Sequence, residues 1–260
     1  MSWTDAARLS LGTLSVLPAG MPSRVDRTVG GRAMALAPMV GALVGGIAAA
    51  VVVLAQLVNP DADLLAAVLG VLVVAGLSGG LHLDGLADFA DALGSRRDRE
   101  TMLRIMKQSD IGPFGVVAIV AVLLLDIAAL TACVQAGFGW QAILIGATAS
   151  RLTLPWACLK SIPAARPDGL GNMVAATVRP ITAALATAVV LTACLALSWL
   201  TDSGAGRSAG VGAAVLLAVA TSLLTSRRAR RALGGTTGDV LGATVELALP
   251  VALVTLALTV

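Results

Sequence analysis

The residues best suited to chemistry lie in one short segment, residues 79–91, which also holds the single histidine of the chain, His82. If this segment is helical, Asp84, Asp88 and Asp91 are spaced i, i+4 and i+7, so their carboxylates share one face. Two carboxylates about 6 Å apart repel by roughly 3 kcal/mol at an effective dielectric constant near 20. A bound Mg²⁺ would remove this repulsion, because hard cations prefer carboxylate oxygens. The spacing therefore predicts a metal site, and a solvated helix end is the simpler alternative.

A second motif, residues 233–246, places glycines and two threonines directly before an apolar run. Such a turn exposes backbone amides that can hold phosphate oxygens at a helix N-terminus. It lacks the lysine of a Walker A loop, so it is not a P-loop. Asp239 and Glu246 are seven residues apart and face the same way on a helix. Asp239 has the alternative of being only an N-cap, whereas Glu246 lies inside a predicted span, where a charge is functional by default.

Basic residues form the third feature. Arg104 and Lys107 lead into the glycine-punctuated segment 109–115, and Arg151 and Arg166 belong to the next basic stretch. Arginine forms bidentate hydrogen bonds with phosphate. The alternative is that basic residues only flank membrane spans, which we favour for the arginines near positions 96–99 and 227–231. Carboxylates, a glycine turn and arginines together predict metal-assisted transfer chemistry on a diphosphate.

The elements that must position these residues are membrane helices. Of the 260 residues, 57% are apolar and 13% are charged, whereas a soluble domain has about 25% charged residues. Apolar runs long enough to span a bilayer recur without the alternation of an outer-membrane barrel. We therefore predict an all-α, polytopic membrane bundle in which residues 1–260 form a single domain. The predicted spans number about seven, at 33–57, 64–81, 115–135, 140–160, 181–200, 209–226 and 240–259.

The distribution of charge predicts the orientation. All of the 18 Lys and Arg residues except Arg207 lie in segments that alternate spans would leave on one side. The positive-inside rule then places the N-terminus and the polar motifs at the cytoplasmic face of the cytoplasmic (inner) membrane. Residues 1–32 form a cytoplasmic N-terminal segment, with an interfacial helix predicted over 3–17. The net charge of +3 is modest and does not indicate nucleic-acid binding.

The motifs resemble those of the cobalamin synthase family, adenosylcobinamide-GDP ribazoletransferase. The family's Gly-Gly-x-His-Leu-Asp-Gly-Leu-Ala-Asp-x-x-Asp pattern is present at 79–91, and its Gly-Gly-x-Thr-Gly-Asp-x-Leu-Gly-Ala-x-x-Glu pattern at 234–246. Between them lie the shorter matches Ile-Met-Lys to Gly-x-x-Gly over 105–115, Ser-Arg at 150–151 and Gly-Leu-Gly at 169–171. The chain departs from the pattern at Ala92, where the family usually has glycine. It also departs at Gln108 and Asp110, where the family often has Asp and Arg.

The resemblance implies a reaction. A hydroxyl of α-ribazole or of its 5′-phosphate attacks the cobinamide-linked phosphate of adenosylcobinamide-GDP, GMP leaves, and Mg²⁺ is required. The expected metal ligands are Asp84, Asp88, Asp91 and Asp239, and the expected base is Asp91 or His82. The expected substrate-binding residues are Arg104, Lys107, Arg151, Arg166, Gly235, Thr237, Gly238 and Glu246. The expected partners are the two substrates and the lipid bilayer, and a homo-oligomer is left open.

Two other functions fit parts of the pattern. A CDP-alcohol phosphotransferase also uses several aspartates and Mg²⁺, but its signature continues Ala-Arg where this chain has Ala87-Asp88. A cation or corrinoid transporter would use Asp126 and Glu246 as charges along a path through the membrane. The collection of polar residues on one predicted face counts against transport.

Overall fold

The computed structural model describes residues 3–201 and 205–260, and within these ranges the chain forms helices and no strand. The predicted all-α fold is confirmed. The helices are α1 (Trp3–Leu14), α2 (Arg27–Val58), α3 (Asp63–Leu77), α4 (Leu81–Gly94), α5 (Arg99–Ile105), α6 (Pro113–Gln135), α7 (Gly139–Ala157), α8 (Gly169–Val174), α9 (Pro180–Thr201), α10 (Ala205–Leu233) and α11 (Gly238–Ala257).

The protein is a multi-pass membrane protein. Within the described ranges, five helices are long and apolar enough to cross a bilayer: α2, α6, α9, α10 from Arg207 onward, and α11. The pair α3 and α4 makes a sixth candidate, although its two helices are bent by 85°. The helix α7 covers the predicted span 140–160 but is more polar, because it carries Arg151 and several hydroxyl side chains. The predicted number of seven and the cytoplasmic N-terminus stay predictions.

The centre of the bundle is α7, almost all of whose residues are buried. It packs most extensively along α2 and also contacts α9, α10 and α11. Glycines in α2 allow this close approach, because a Cβ atom at Gly41 would lie 2.5 Å from the Ala147 carbonyl oxygen, and one at Gly45 would lie 2.9 Å from Ala147 Cβ. Small residues at helix contacts are the usual means by which membrane helices approach closely. The sequence therefore buries a polar helix by packing it against glycines.

The bend between α3 and α4 determines where the aspartates point. Gly79 and Gly80 both have positive φ angles, +64° and +70°, a left-handed conformation that glycine adopts without steric cost. The apolar helix α3 therefore ends at Leu77, before the end of the predicted span 64–81. The aspartate segment becomes a separate helix, α4, which packs against α6 and α11.

The interfacial helix predicted over 3–17 forms as α1, which ends at Leu14 and packs on α2. Its buried face contains Ala6 and Leu9, while Trp3 at its start is 56% exposed. Asp5 accepts hydrogen bonds from the backbone N–H and the hydroxyl of Ser23, both at 2.8 Å. The segment after α1 is therefore held back against the helix.

The segment 158–179 is joined to the predicted glycine turn before α11. One isolated bridge connects Ala164 with Thr236 across this contact, and another connects Leu159 with Val178 within the segment. Arg99 adds a third connection, because its guanidinium donates to the carbonyl oxygens of Leu233 at 2.7 Å and Ala165 at 2.9 Å. These contacts fix the start of α11 against the segment 158–179.

Candidate active site

Close backbone contact between α4 and α11 brings two distant motifs together. A Cβ atom at Gly85 would lie 2.7 Å from the Asp239 carbonyl oxygen, and one at Gly242 would lie 3.1 Å from His82 Cα. Only glycine leaves room for this contact. It places the aspartate face of α4 beside the first turn of α11, so the first and last motifs of the sequence form one site.

The carboxylates of this site are close enough to act on one another. Asp88 is half-buried and interacts electrostatically with Asp84, Asp91 and Asp239, as well as with Arg166. Asp84 is exposed to solvent on the same face of α4. The predicted helix and its shared acidic face are therefore confirmed in geometry, and the like charges are only partly offset by one arginine.

These carboxylates fit an Mg²⁺ ion that a substrate helps to hold. In the ranges that the structure describes, no three His, Cys, Asp or Glu side chains are placed to hold an ion alone. Proteins usually bind Mg²⁺ through one or two carboxylates, with phosphates and water completing the octahedron. Asp84, Asp88 and Asp239 supply such oxygens on the adjoining faces of α4 and α11. A magnesium ion at this position stays a prediction.

Asp91 has a structural task. Its Oδ2 accepts a hydrogen bond from the Gly112 amide at 2.7 Å, and its Oδ1 accepts one from the Gly115 amide at 3.0 Å. Gly112 is the N-cap residue of α6 and Gly115 belongs to its first turn, so the carboxylate caps this helix. A Cβ atom at either glycine would overlap the carboxylate. This contact explains the glycine spacing of the segment 109–115, and it leaves Asp91 with less freedom to serve as a metal ligand or base.

A cavity of about 400 Å³, within the range typical of ligand sites, opens beside Asp239, whereas Asp88 lines a different pocket with Asp91. The polar wall of the cavity combines residues from four predicted motifs: His82, Lys107, Arg166, Asp168, the segment 169–171 and the turn 236–239. Apolar residues from other helices form the rest of the wall, among them Leu14, Met34, Leu154 and Leu241. The cavity therefore offers both a phosphate-binding edge and an apolar surface.

Basic residues line one edge of the cavity. Arg166 Nη1 lies 3.7 Å from Asp239 Oδ2, and Arg166 Nη2 donates to the Leu103 carbonyl oxygen at 2.8 Å. Lys107 Nζ lies 3.1 Å from Asp168 Oδ2, and this bond holds the pKa of the Asp168 carboxyl below its usual value. Arg104 lines an adjoining pocket of about 330 Å³ that also contains Lys107 and Arg166. The predicted phosphate contacts Arg104, Lys107 and Arg166 are thus grouped together.

The glycine turn before α11 packs against the segment that contains Pro163 and Ala164. The Thr236 amide donates to the Pro163 carbonyl oxygen at 2.9 Å, while Gly235 is buried against the same segment and lines no part of the cavity. The N-cap of α11 is Thr237, whose hydroxyl accepts from the Val240 amide at 3.2 Å. The alternative of Asp239 as a mere N-cap is therefore wrong. Gly238 and Asp239 belong to the first turn of the helix and line the cavity.

A buried cluster of charged side chains lies among α4, α6, α7 and α11. Arg151 is fully buried, Asp126 is 1% exposed and Glu246 is 4% exposed, and the two carboxylates both interact with the guanidinium. Glu246 Oε1 lies 3.9 Å from Nδ1 of His82. Of these four residues, only His82 lines the cavity. The expected substrate contacts of Arg151 and Glu246 do not match this placement, because both side chains are enclosed by protein.

Two residues that support the site, Arg99 and Asp168, were not predicted from the sequence. Arg99, which we interpreted as a membrane-flanking charge, ties Leu233 to Ala165 beneath the glycine turn. Asp168 pairs with Lys107 at the cavity edge. The available signal for Asp168 was its place directly before the Gly-Leu-Gly loop, whereas nothing local marked Arg99, since its partners lie 66 and 134 residues away in sequence.

Comparison with known proteins identifies the family to which the sequence is similar. The sequence profile of cobalamin-5-phosphate synthase matches residues 6–257. A protein of Frankia casuarinae named adenosylcobinamide-GDP ribazoletransferase is 41% identical, with 98% of this chain and 95% of the relative covered. Proteins of the same name from Nocardioides sp. and Pseudomonas paraeruginosa are each 38% identical, covering 94% and 96% of this chain and 95% and 96% of the relatives. No solved structure matches the chain significantly.

Proposed function

Because the chain belongs to the cobalamin-5-phosphate synthase family and is a transferase of cobalamin synthesis, we propose that it acts on adenosylcobinamide-GDP. The acceptor is α-ribazole or its 5′-phosphate, and the products are GMP and adenosylcobalamin or its 5′-phosphate. The observation that best supports this proposal is that His82 at the start of α4, the basic residues Lys107 and Arg166, and the turn 236–239 all line one cavity. The family supports this function over a CDP-alcohol phosphotransferase. The structure argues against a transporter, because Asp126 and Glu246 are both buried around Arg151 and do not line an open path.

The reaction replaces a phosphoanhydride bond with a phosphate ester bond. A ribose hydroxyl forms a bond to the cobinamide-linked phosphorus, the bond from that phosphorus to the bridging oxygen breaks, and GMP leaves with the electron pair. The hydroxyl proton passes to a base. Lys107 and Arg166 would hold the diphosphate, and Arg104 lines the same pocket. Asp84, Asp88 and Asp239 would hold Mg²⁺, which supplies charge stabilisation for the diphosphate and the leaving group.

His82 is the better candidate for the base. It lines the cavity, whereas both carboxylate oxygens of Asp91 already accept an amide hydrogen bond. The His82 imidazole is buried, and its Nδ1 has no hydrogen-bond partner among the described residues. The Glu246 carboxylate near this nitrogen would stabilise the positive charge that forms when His82 accepts a proton. Glu246 thereby acts through His82, without contact to the substrate.

The variant His82→Asn tests this assignment. Asparagine preserves most of the polar volume but cannot act as a base, so kcat should fall by about 10²- to 10⁴-fold. KM should change little, because phosphate binding belongs to other residues. Steady-state kinetics on purified protein would measure both constants. A fall in kcat of less than about tenfold would contradict the assignment of His82 and leave Asp91 as the candidate base.

The variant Gly85→Ala tests the contact that assembles the site. Its new methyl group must displace the backbone of Asp239 or the helix α4, and small displacements at a reacting centre slow reactions by about 10- to 100-fold. The matched control is Gly76→Ala in α3, where a Cβ atom meets no other atom within 4 Å. The control should keep activity within about twofold of the wild type. Equal activity of the two variants would show that this contact does not position the carboxylates.

We further propose that the site faces the cytoplasm at the inner membrane. The support is the distribution of basic residues, together with the position of the cavity at the starts of α4, α8 and α11. The choice between the two acceptors needs a direct test. Purified protein would be given adenosylcobinamide-GDP with either α-ribazole or its 5′-phosphate, and the corrinoid product would be identified by mass. Absence of a new corrinoid in both reactions, from folded protein, would contradict the proposed function.

A further inference from the structure

A second pocket, separate from the candidate active site, is lined by four cationic side chains. It has a volume of about 500 Å³, and its cations are Arg27 and Arg32 of α2, Lys160 and Arg179. No Asp or Glu among the described residues lines it, and it shares no lining residue with the 400 Å³ cavity. A pocket bounded by several positive charges without a carboxylate in its wall is suited to an anion with several oxygen acceptors.

The cations are held in place by the fold. The Arg27 guanidinium donates to the carbonyl oxygens of Asn172 and Ala175. Arg32 lies over the Trp3 ring, with its guanidinium carbon 5.1 Å from the ring centroid. These contacts hold both arginines in position, and the carbonyl partners of Arg27 carry no negative charge.

The other two cations are brought together by a short backbone connection. The Lys160 amide donates to the Val178 carbonyl oxygen at 2.9 Å, so Lys160 lies beside the segment that ends in Arg179. The side chains of both residues are exposed. Asp26, which precedes Arg27, is engaged elsewhere: it caps α2 through the Thr28 and Val29 amides and pairs with Arg24 at 2.6 Å.

The position of the pocket indicates the source of its anion. Two helices that can span the bilayer begin at its rim: α2 at Arg27 and α9 at Pro180. Trp3, which lines the pocket, starts the amphipathic helix α1, and exposed indoles favour the membrane–water interface. These two features favour the depth of the lipid headgroups for the pocket, and basic pockets between membrane helices at that depth recognise anionic lipids.

We propose that this pocket is a binding site for a phosphate ester anion, presented by the headgroup of an anionic phospholipid. The same phosphate chemistry would admit free inorganic phosphate or diphosphate from solution. The two sources differ in whether the acyl chains add to affinity. Binding at this pocket does not depend on the catalytic function proposed above.

Native mass spectrometry of the full chain in detergent provides the test. The protein would be titrated with phosphatidylglycerol, with phosphatidylcholine and with inorganic diphosphate. We expect a retained phosphatidylglycerol molecule that phosphatidylcholine does not replace. The double variant Lys160→Gln/Arg179→Gln should weaken this binding by about tenfold or more, because each lost cation weakens attraction to an anionic headgroup. Both residues are exposed, so unfolding temperature should not change.

The matched control is Arg227→Gln/Arg228→Gln, which removes the same charge from exposed positions of α10. This control should bind the lipid like the wild type. Diphosphate binding that depends on Lys160 and Arg179, without a preference for phosphatidylglycerol, would support the phosphate site with a soluble source. Equal weakening in both double variants would overturn the proposal, because it would show a diffuse effect of net charge. Absence of any anion preference would also overturn it.

Discussion

Replacing Asp88 with Asn is expected to reduce the rate of GMP release by about 10²- to 10³-fold or more, since it removes a preorganised charge at the reacting centre. Asparagine has nearly the same shape, so packing of α4 is preserved. Asp88 interacts with the carboxylates of Asp84, Asp91 and Asp239, and loss of its charge relieves their repulsion. The variant should therefore be at least as stable as the wild type while it loses activity.

The measurement pairs a GMP-release assay with thermal unfolding of the same preparations. The control is Asp61→Asn, at an exposed position in the loop between α2 and α3, which should leave both quantities unchanged. Near-normal activity of Asp88→Asn would remove its carboxylate from the metal assignment. A large fall in stability would instead show that the aspartate supports the fold, which its surroundings argue against.

Replacing Arg151 with Met should destabilise the protein by about 3–5 kcal/mol, because it leaves buried carboxylates without their cation. Arg151 is completely enclosed, and its guanidinium lies among Asp126, Glu246 and His82. The three charges belong to α6, α7 and α11, so their mutual attraction stabilises the contact of these helices. Unfolding in detergent, followed by helical circular dichroism, would measure the loss.

Two variants make this prediction specific. Arg228→Met removes an exposed arginine from α10 and should cost less than about 1 kcal/mol. Adding Asp126→Asn and Glu246→Gln to Arg151→Met should restore part of the stability, since no unpaired charge then remains buried. If Arg151→Met alone were as stable as the wild type, the buried cluster would not be an ionic one.

The sequence predicted the shared face of the three aspartates correctly, because that prediction depends only on residues within one short segment. Spacing of i, i+4 and i+7 requires only that the segment be helical, and α4 covers all three residues. The bend before it was not predicted, although Gly79 and Gly80 were visible in the sequence. A pair of glycines permits a positive φ without requiring one, so only the packing of α4 on α11 decides the turn.

The roles of Arg151 and Glu246 could not be obtained from the sequence for a different reason. An arginine beside a serine in a family motif is suited equally to binding phosphate and to neutralising a buried acid. The choice depends on Asp126 and Glu246, which lie on two other helices. Such pairing is a property of helix packing, and no local pattern records it.

Asp91 shows a further limit of pattern reasoning. Its shared face with Asp84 and Asp88 was predicted correctly, yet its carboxylate oxygens face the first turn of α6. The glycines at 112 and 115, which we interpreted only as part of the glycine-punctuated segment 109–115, are the other half of that contact. The spacing on one helical face therefore located the acidic residues correctly. The different roles of these aspartates depend on contacts with the neighbouring helix α6, which the spacing does not record.

The central proposal is that one magnesium-dependent site, built from the segments 79–91 and 233–246, transfers a phosphate ester with release of GMP. The most direct test is GMP release by the purified full chain given adenosylcobinamide-GDP and α-ribazole 5′-phosphate, with Mg²⁺ or with EDTA. We expect GMP and a corrinoid product in equal amounts with Mg²⁺, and neither with EDTA. Failure of the folded protein to release GMP with Mg²⁺, or release that EDTA does not diminish, would contradict it.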